Sequence, residues 1–226
     1  MRAPVISDRF HDSNPVARLN RDALREAGVL GVAIFGGPGC GKTSLIAETI
    51  KRLTPGVQVG VIACDIGSHR DADRIAGASE HVVQVNTGDG GVVEASHVHD
   101  ALRWLDVRAL DLLLIENVGT LAISRLPDLG QDASVTVFSV AAGDDKADKH
   151  PELVSGADLV LLNKVDLLAS VPFDLAAFRS DVGRVKPGVE LVETSVIRGD
   201  GIDRWLTWLR GRVVVNDNAK ASHWFG

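Results

Sequence analysis

The sequence predicts an α/β fold with a mainly parallel central sheet flanked by helices in three layers. Two observations carry this. Seven short apolar runs, at 29–35, 57–64, 82–85, 112–115, 135–140, 159–162 and 189–192, are nearly continuous in Val, Ile, Leu and Ala. Such runs mark strands buried on both faces, the pattern of a parallel sheet covered by helices. Between them the apolar spacing becomes helical. Ile46, Ile50 and Leu53 stand at i, i+4 and i+7, and Val98, Ala101, Leu102 and Leu105 form a second stripe. Strand runs alternating with amphipathic helices define the α/β class.

Taken in order, the chain opens with a segment whose helix begins at Asn14, a capping residue, followed by Pro15 at the first helical position. It continues through Val16, Leu19 and Ala23 to Gly28, so residues 1–28 are predicted as an N-terminal amphipathic arm. Residues 29–212 form the main domain, in which the last helix presents Ile202, Trp205, Leu206 and Leu209 on one face. Residues 213–226 have no clear period and are predicted as a C-terminal tail, with Trp224 and Phe225 available for docking.

The 226 residues suffice for one large core. Hydrophobic residues at 45% and charged residues at 24% describe a globular chain rather than a disordered one. A formal charge of −6 argues against a general nucleic-acid binder, because phosphate backbones attract basic surfaces. No apolar stretch reaches the roughly 18 residues needed to span a bilayer, and the start lacks a signal-peptide core, so a cytoplasmic location without membrane contact is expected. Cys40 and Cys64 are too few for a disulfide framework or a four-cysteine zinc site.

The most informative motif is GGPGCGKT at residues 36–43, which fits G-x-x-x-x-G-K-[ST] between an apolar strand and an amphipathic helix. Backbone N–H groups of Gly37, Gly39, Cys40 and Gly41 are suited to curl around phosphate oxygens, with Pro38 shaping the loop and Ser44 at its end. Lys42 can reach the terminal phosphates, and the Thr43 hydroxyl can coordinate Mg2+. The fold prediction thereby becomes a three-layer P-loop NTPase.

Asn163, Lys164, Val165 and Asp166 follow a strand and make N-K-x-D, the guanine-recognition pattern of GTPases. Guanine offers N1–H and an exocyclic amine to one carboxylate, whereas adenine would point its N1 acceptor at Asp166. GTP and GDP are therefore the expected ligands, and an ATP-using small-molecule kinase is disfavoured. Thr194, Ser195 and Val196 resemble the loop whose backbone meets the guanine carbonyl. Asp65 and Glu116 end strands where ligands of open α/β sheets bind, so both are candidates to hold Mg2+ or to order the attacking water, and the Gly119 N–H to meet the γ-phosphate. The catalytic group is thus expected to be Lys42, Asp65, Glu116 and Gly119. No glutamine stands in an evident water-positioning place, which predicts slow intrinsic hydrolysis completed by a partner or second subunit.

From Asn20 to about Arg212 the chain resembles the hydrogenase nickel-incorporation GTPases of the HypB type, relatives of the urease accessory GTPases. The resemblance rests on PGCGKTSL, DADRIAG, QVNTGDG, LLIENVGTL with a following DLG, AGDDKADKHPEL, ADLVLLNKVDLL and GDGIDRWLTWL. It implies a GTPase that dimerises with GTP bound and helps deliver nickel to an apo-metalloenzyme, with Lys146 near the dimer interface and the nucleotide. A second reading is a GTP-dependent chaperone or regulator of another protein partner, without metal cargo.

The metal ligands of that family are not reproduced. Gly91 and Val92 stand where the family usually has a Cys-His pair, and Ile123 where it has a further cysteine. An N-terminal cysteine motif, a His-rich tract and the Cys-Pro-His motif of the urease relatives are also missing. His97 and His99 lie two apart on a predicted helix and so point about 200 degrees from each other, which does not suit one shared metal. His69, His150 and His223 form no ligand pattern either. No transition-metal site is assigned from the sequence, and Ni2+ or Zn2+ binding is placed in doubt.

Overall fold

The computed structural model describes residues 14–63, 77, 79–86, 92–117, 119, 123–212 and 224. Among these, seven strands form one sheet in the order β3-β2-β4-β1-β5-β6-β7, every pair parallel. The strands are β1 (Leu30–Phe35), β2 (Val59–Ala63), β3 (Val82–Gln84), β4 (Leu112–Glu116), β5 (Ala133–Ser139), β6 (Leu159–Asn163) and β7 (Glu190–Glu193). All seven coincide with apolar runs predicted from the sequence. The largest boundary changes are at β2, which begins at Val59, and at β5, which begins at Ala133, where the ladder pairs Val32 with Ala133.

Alternation along the strands sorts the core onto two faces. Val32, Ile34, Leu112, Leu114, Val135 and Leu161 face α2 (Lys42–Leu53) and α7 (Ile202–Arg210), packing with Leu45, Ile46, Ile50, Trp205 and Leu209. Trp224 is buried in this same cluster. Ala33, Phe35, Ile62, Leu113 and Ile115 face the other way onto α1 (Pro15–Ala27) and α3 (Ala95–Leu102). Phe138, Val160 and Leu162 continue that second face against α4 (Lys146–Lys149), α5 (Pro151–Ser155) and α6 (Leu175–Val185). The result is three layers.

Helix α1 starts and stops where its residue types demand. The Asn14 side chain accepts from Val16 N and Ala17 N, Pro15 opens the helix, and Gly28 closes it in the left-handed region at φ 68°. The helix lies against α3 and β1. Buried Asn20 fixes it there, donating to Ala95 O at 2.8 Å and Leu129 O at 3.0 Å, while Arg21 pairs with Asp128 at 2.7 Å. The α2 and α7 layer is pinned by the Trp205 indole, which donates to Thr49 Oγ1 at 2.8 Å in the interior.

Strand β1 lies between β4 and β5, and the chain leaves it first toward β2 and later, from β4, toward β5. The reversal opens a crevice at the carboxyl ends of β1, β4, β6 and β7, where open parallel sheets bind ligands. No helix among the described residues is long and apolar enough to cross a membrane.

Candidate functional site

The loop after β1 is built around two glycines that nothing larger could replace. Gly36 has φ 143°, and a Cβ there would meet Val137 O at 2.2 Å; Gly41 has φ 99°, and a Cβ would meet Asn163 Nδ2 at 2.4 Å. These positions bring the loop against β5 and β6, and deliver Lys42 and Thr43 as the first residues of α2, at the positive end of its dipole.

The polar groups of this loop satisfy one another. Lys42 is 4% exposed, and its ammonium donates to Gly36 O at 3.1 Å and Gly37 O at 3.2 Å. The Thr43 hydroxyl donates to Glu116 Oε1 at 2.6 Å, so the end of β4 and the start of α2 meet in a buried hydroxyl–carboxylate pair. Gly119 lies against the loop, with the place of a Cβ 3.2 Å from Lys42 Nζ and 3.0 Å from the Pro38 Cα. Lys164 donates across to Gly39 O at 2.6 Å. Burial pushes the Cys40 thiol above its ordinary range, and the neighbouring Lys42 ammonium offsets this only in part.

The second wall comes from β6 and β7. Asn163 Nδ2 donates to Cys40 O at 2.9 Å, and its Oδ1 accepts from Thr194 Oγ1 at 3.3 Å, so one amide joins the phosphate-type loop to the loop after β7. Lys164 adopts φ 64°, in the left-handed region. The Asp166 carboxylate accepts from Ser195 Oγ at 2.6 Å. A cleft of about 1000 Å³ opens here, lined by Gly41, Ser44, Asn163, Lys164, Asp166 and Val196, with Ile197 at its edge and the outer face of α2 along one side.

The structure therefore brings together Gly37, Pro38, Gly39, Cys40, Gly41, Lys42, Thr43, Ser44, Glu116 and Gly119 on one side, and Asn163, Lys164, Asp166, Ser195 and Val196 on the other. Asp65 lies outside the described residues, as do Gly91, His69 and His223. Sequence reasoning missed Ile197 and Asn117. Asn117 is 2% exposed, and its Oδ1 has no hydrogen-bond partner among the described residues. Its place directly after the carboxylate of β4 was the available signal.

The histidines of α3 have structural partners. The His97 ring accepts from Glu94 N at 3.1 Å, completing a capping box at the helix start, and His99 Nδ1 lies 3.0 Å from Asn20 Oδ1. His150 faces Glu152 at 3.3 Å. Ile123 packs among the apolar side chains around Phe138 and Phe178. Among the described residues no group of three or more His, Cys, Asp or Glu is placed to hold a metal ion.

Residues 31–193 match the model of the CobW/HypB/UreG nucleotide-binding domain. The hydrogenase maturation factor HypB of Escherichia coli strain K12 is 38% identical over 205 residues, covering 91% of this chain and 71% of that protein. The chain belongs to the HypB family. A probable hydrogenase maturation factor HypB of Methanocaldococcus jannaschii is 34% identical over 209 residues, with 92% of this chain and 95% of that one covered. Among solved structures, HypB from Archaeoglobus fulgidus superposes with a TM-score of 0.81 at 36% identity, covering 88% of this chain and 97% of that chain. HypB from Helicobacter pylori in complex with nickel gives 0.80 at 25% identity, covering 90% and 97%. HypB proteins are P-loop nucleotide-binding maturation factors, and the all-parallel sheet with its glycine loop after β1 is their fold.

Proposed function

We propose that the chain binds and slowly hydrolyses GTP, and serves as an accessory protein in the maturation of a metalloenzyme, nickel-dependent and of hydrogenase type, by switching between a GTP-bound dimer and a GDP-bound or free form. The observation that carries the nucleotide part is the Ser195–Asp166 bond at the edge of the cleft, with Asn163 bridging to Cys40. It puts a carboxylate at a fixed distance from a phosphate-type loop, as a guanine nucleotide requires.

Within this reading each polar group has a task. Lys42 exchanges its two neutral carbonyl acceptors for phosphate oxygens, a change to stronger charge-assisted bonds. The Gly119 N–H, beside Lys42, is available to the γ-phosphate. Thr43 and Glu116 fit a Mg2+ site by donor chemistry, a hydroxyl and a buried carboxylate already in contact at the head of α2. Mg2+, when bound with the nucleotide, neutralises charge on the phosphate oxygens. Asp65 is assigned the ordering of Mg2+ or water on its strand-end position in the sequence. With no glutamine assigned to the water, turnover depends on completion by a second protomer or partner, and Lys146 at the start of α4 is the residue assigned to that interface.

Nickel as cargo follows the family and its relatives. The second reading, a GTP-dependent chaperone or regulator with no metal cargo, is favoured by one observation: Val92 and Ile123 present aliphatic side chains at the positions of the family's usual ligands, and Ile123 is committed to apolar packing.

Binding of mant-GTP against mant-ATP tests the base assignment. Equal affinities would refute it. Phosphate release by Lys42→Ala at the wild-type rate would refute the site. Light scattering with a non-hydrolysable GTP analogue is expected to give twice the monomer mass, and less with Lys146→Ala; a persistent monomer would refute the dimeric switch. Nickel and zinc titrations separate the two cargo readings.

A further inference from the structure

Asn117 follows directly on the carboxylate that ends β4, and its N–H donates to Ile34 O at 3.0 Å, so its backbone is still tied to the sheet. Its side chain is buried, and the sealed Oδ1 has no hydrogen-bond partner among the described residues. A buried amide oxygen without a donor is costly, and one kept at the head of a ligand crevice calls for a use. Because the atom is closed to solvent, its donor has to come from the chain itself.

An unpaired donor stands two residues further on. The Gly119 N–H also has no partner among the described residues, and two residues is the separation at which Asn side chains bond the backbone that follows them. Gly119 is kept from turning back by its packing on the loop after β1, where the place of a Cβ lies 3.0 Å from Pro38 Cα and 3.2 Å from Lys42 Nζ. Lys42 is in turn folded onto Gly36 O and Gly37 O. A nucleotide that draws this ammonium onto its phosphates removes the contact and releases Gly119 toward another acceptor.

We infer that Asn117 is a positioning residue for the diphosphate state: its Oδ1 takes the Gly119 N–H when Lys42 sits on the phosphates of GDP, and yields that N–H to the γ-phosphate of GTP. This rests on the GTP-site reading above. A phosphate oxygen is charged and the amide oxygen is not, so the γ-phosphate takes the N–H whenever it is present. Once the γ-phosphate has left, the amide oxygen recovers it. Asn117 thus sets how strongly the site holds GDP relative to GTP, acting through Gly119.

The test uses the full chain as wild type, as Asn117→Leu, which keeps the size without the acceptor, and as Asn117→Ser, whose hydroxyl can still accept from the N–H two residues on. Mant-GDP is titrated directly, GDP and a non-hydrolysable GTP analogue are competed against it, and thermal unfolding is followed without nucleotide. Asn117→Leu is expected to weaken GDP by about tenfold and the analogue by no more than about twofold. Its Tm is expected at or above the wild-type value, because a buried acceptor without a donor is gone, and Asn117→Ser is expected to recover most of the GDP affinity. In the wild type, hydrogen exchange of the Gly119 amide, read by NMR, is expected to be slower with GDP than without nucleotide. A GDP to analogue ratio in Asn117→Leu within about twofold of wild type would overturn the inference, whether both affinities hold or both fall together with the Tm. Gly119 exchange as fast with GDP as without it would also overturn it, whichever variants fold. Failure of the wild type to bind mant-GDP would overturn the GTP reading and this inference together.

Discussion

Replacing Asp166 by Asn changes the chemistry of the cleft with the least change of shape. A carboxylate has about four acceptor positions, of which Ser195 takes one at 2.6 Å, leaving room for the two donors that guanine presents side by side. Asparagine keeps one oxygen for Ser195 and turns the other position into an N–H donor. The guanine N1–H or amine then faces a donor. The loss is one hydrogen bond to a charged group, about 1.5–3 kcal/mol, together with a donor left unpaired on closure, about 1–3 kcal/mol. The sum of about 2.5–6 kcal/mol corresponds to a GDP affinity lower by roughly 10²–10⁴-fold. Xanthine carries a carbonyl in place of the amine, so XDP gains an acceptor for the new amide and is expected to become the preferred ligand. Competition of GDP and XDP against their mant derivatives reads both numbers. If Asp166→Asn kept the wild-type preference for GDP over XDP, the carboxylate would not face the base, and the guanine assignment would fail.

Gly41→Ala sets a methyl at 2.4 Å from Asn163 Nδ2 in a backbone at φ 99°, and should cost at least about tenfold in nucleotide affinity and a few degrees of Tm, checked by mant-GDP titration and thermal unfolding. Trp205→Phe leaves the buried Thr49 hydroxyl without its indole donor and thins the α2 and α7 layer; urea unfolding is expected to show a loss of about 1–2 kcal/mol with activity retained. The Cys40 thiol, held above the ordinary range by burial, should react with a disulfide reagent more slowly than a free thiol at pH 8 in a Cys64→Ser background, and speed up as pH rises. A rate equal to that of free cysteine would contradict its burial.

Much of this was legible one residue at a time. Asn14, Pro15 and Gly28 bound α1 because capping and left-handed closure are local chemistry, and the central strands were visible because burial on both faces leaves them mostly apolar. What stayed hidden depends on partners far apart in sequence. The strand order follows from how crossovers pack, which no run of Val and Leu encodes. The roles of Asn163, Thr194 and Asn20 rest on hydrogen bonds spanning 31 to 123 residues. Ile197 escaped notice because one isoleucine beside a polar turn has no pattern; only its exposure beside Lys164 and Asp166 distinguishes it. The positions of Lys42 on Gly36 and Gly37, and of Thr43 on Glu116, follow from the loop closing on itself, which a motif does not describe.

The Asn163 amide has a thermodynamic consequence for the two halves of the ligand. Its N–H holds the Cys40 carbonyl and its oxygen receives the Thr194 hydroxyl, so a shift of either loop is felt by the other. Pyrophosphate and guanosine, offered as separate molecules, would then bind with a coupling free energy, each tightening the other by the same factor as linkage demands. The same amide would make the loss of a phosphate at one end register at the base end, so that hydrolysis changes not only what is bound but how firmly the whole cleft is closed.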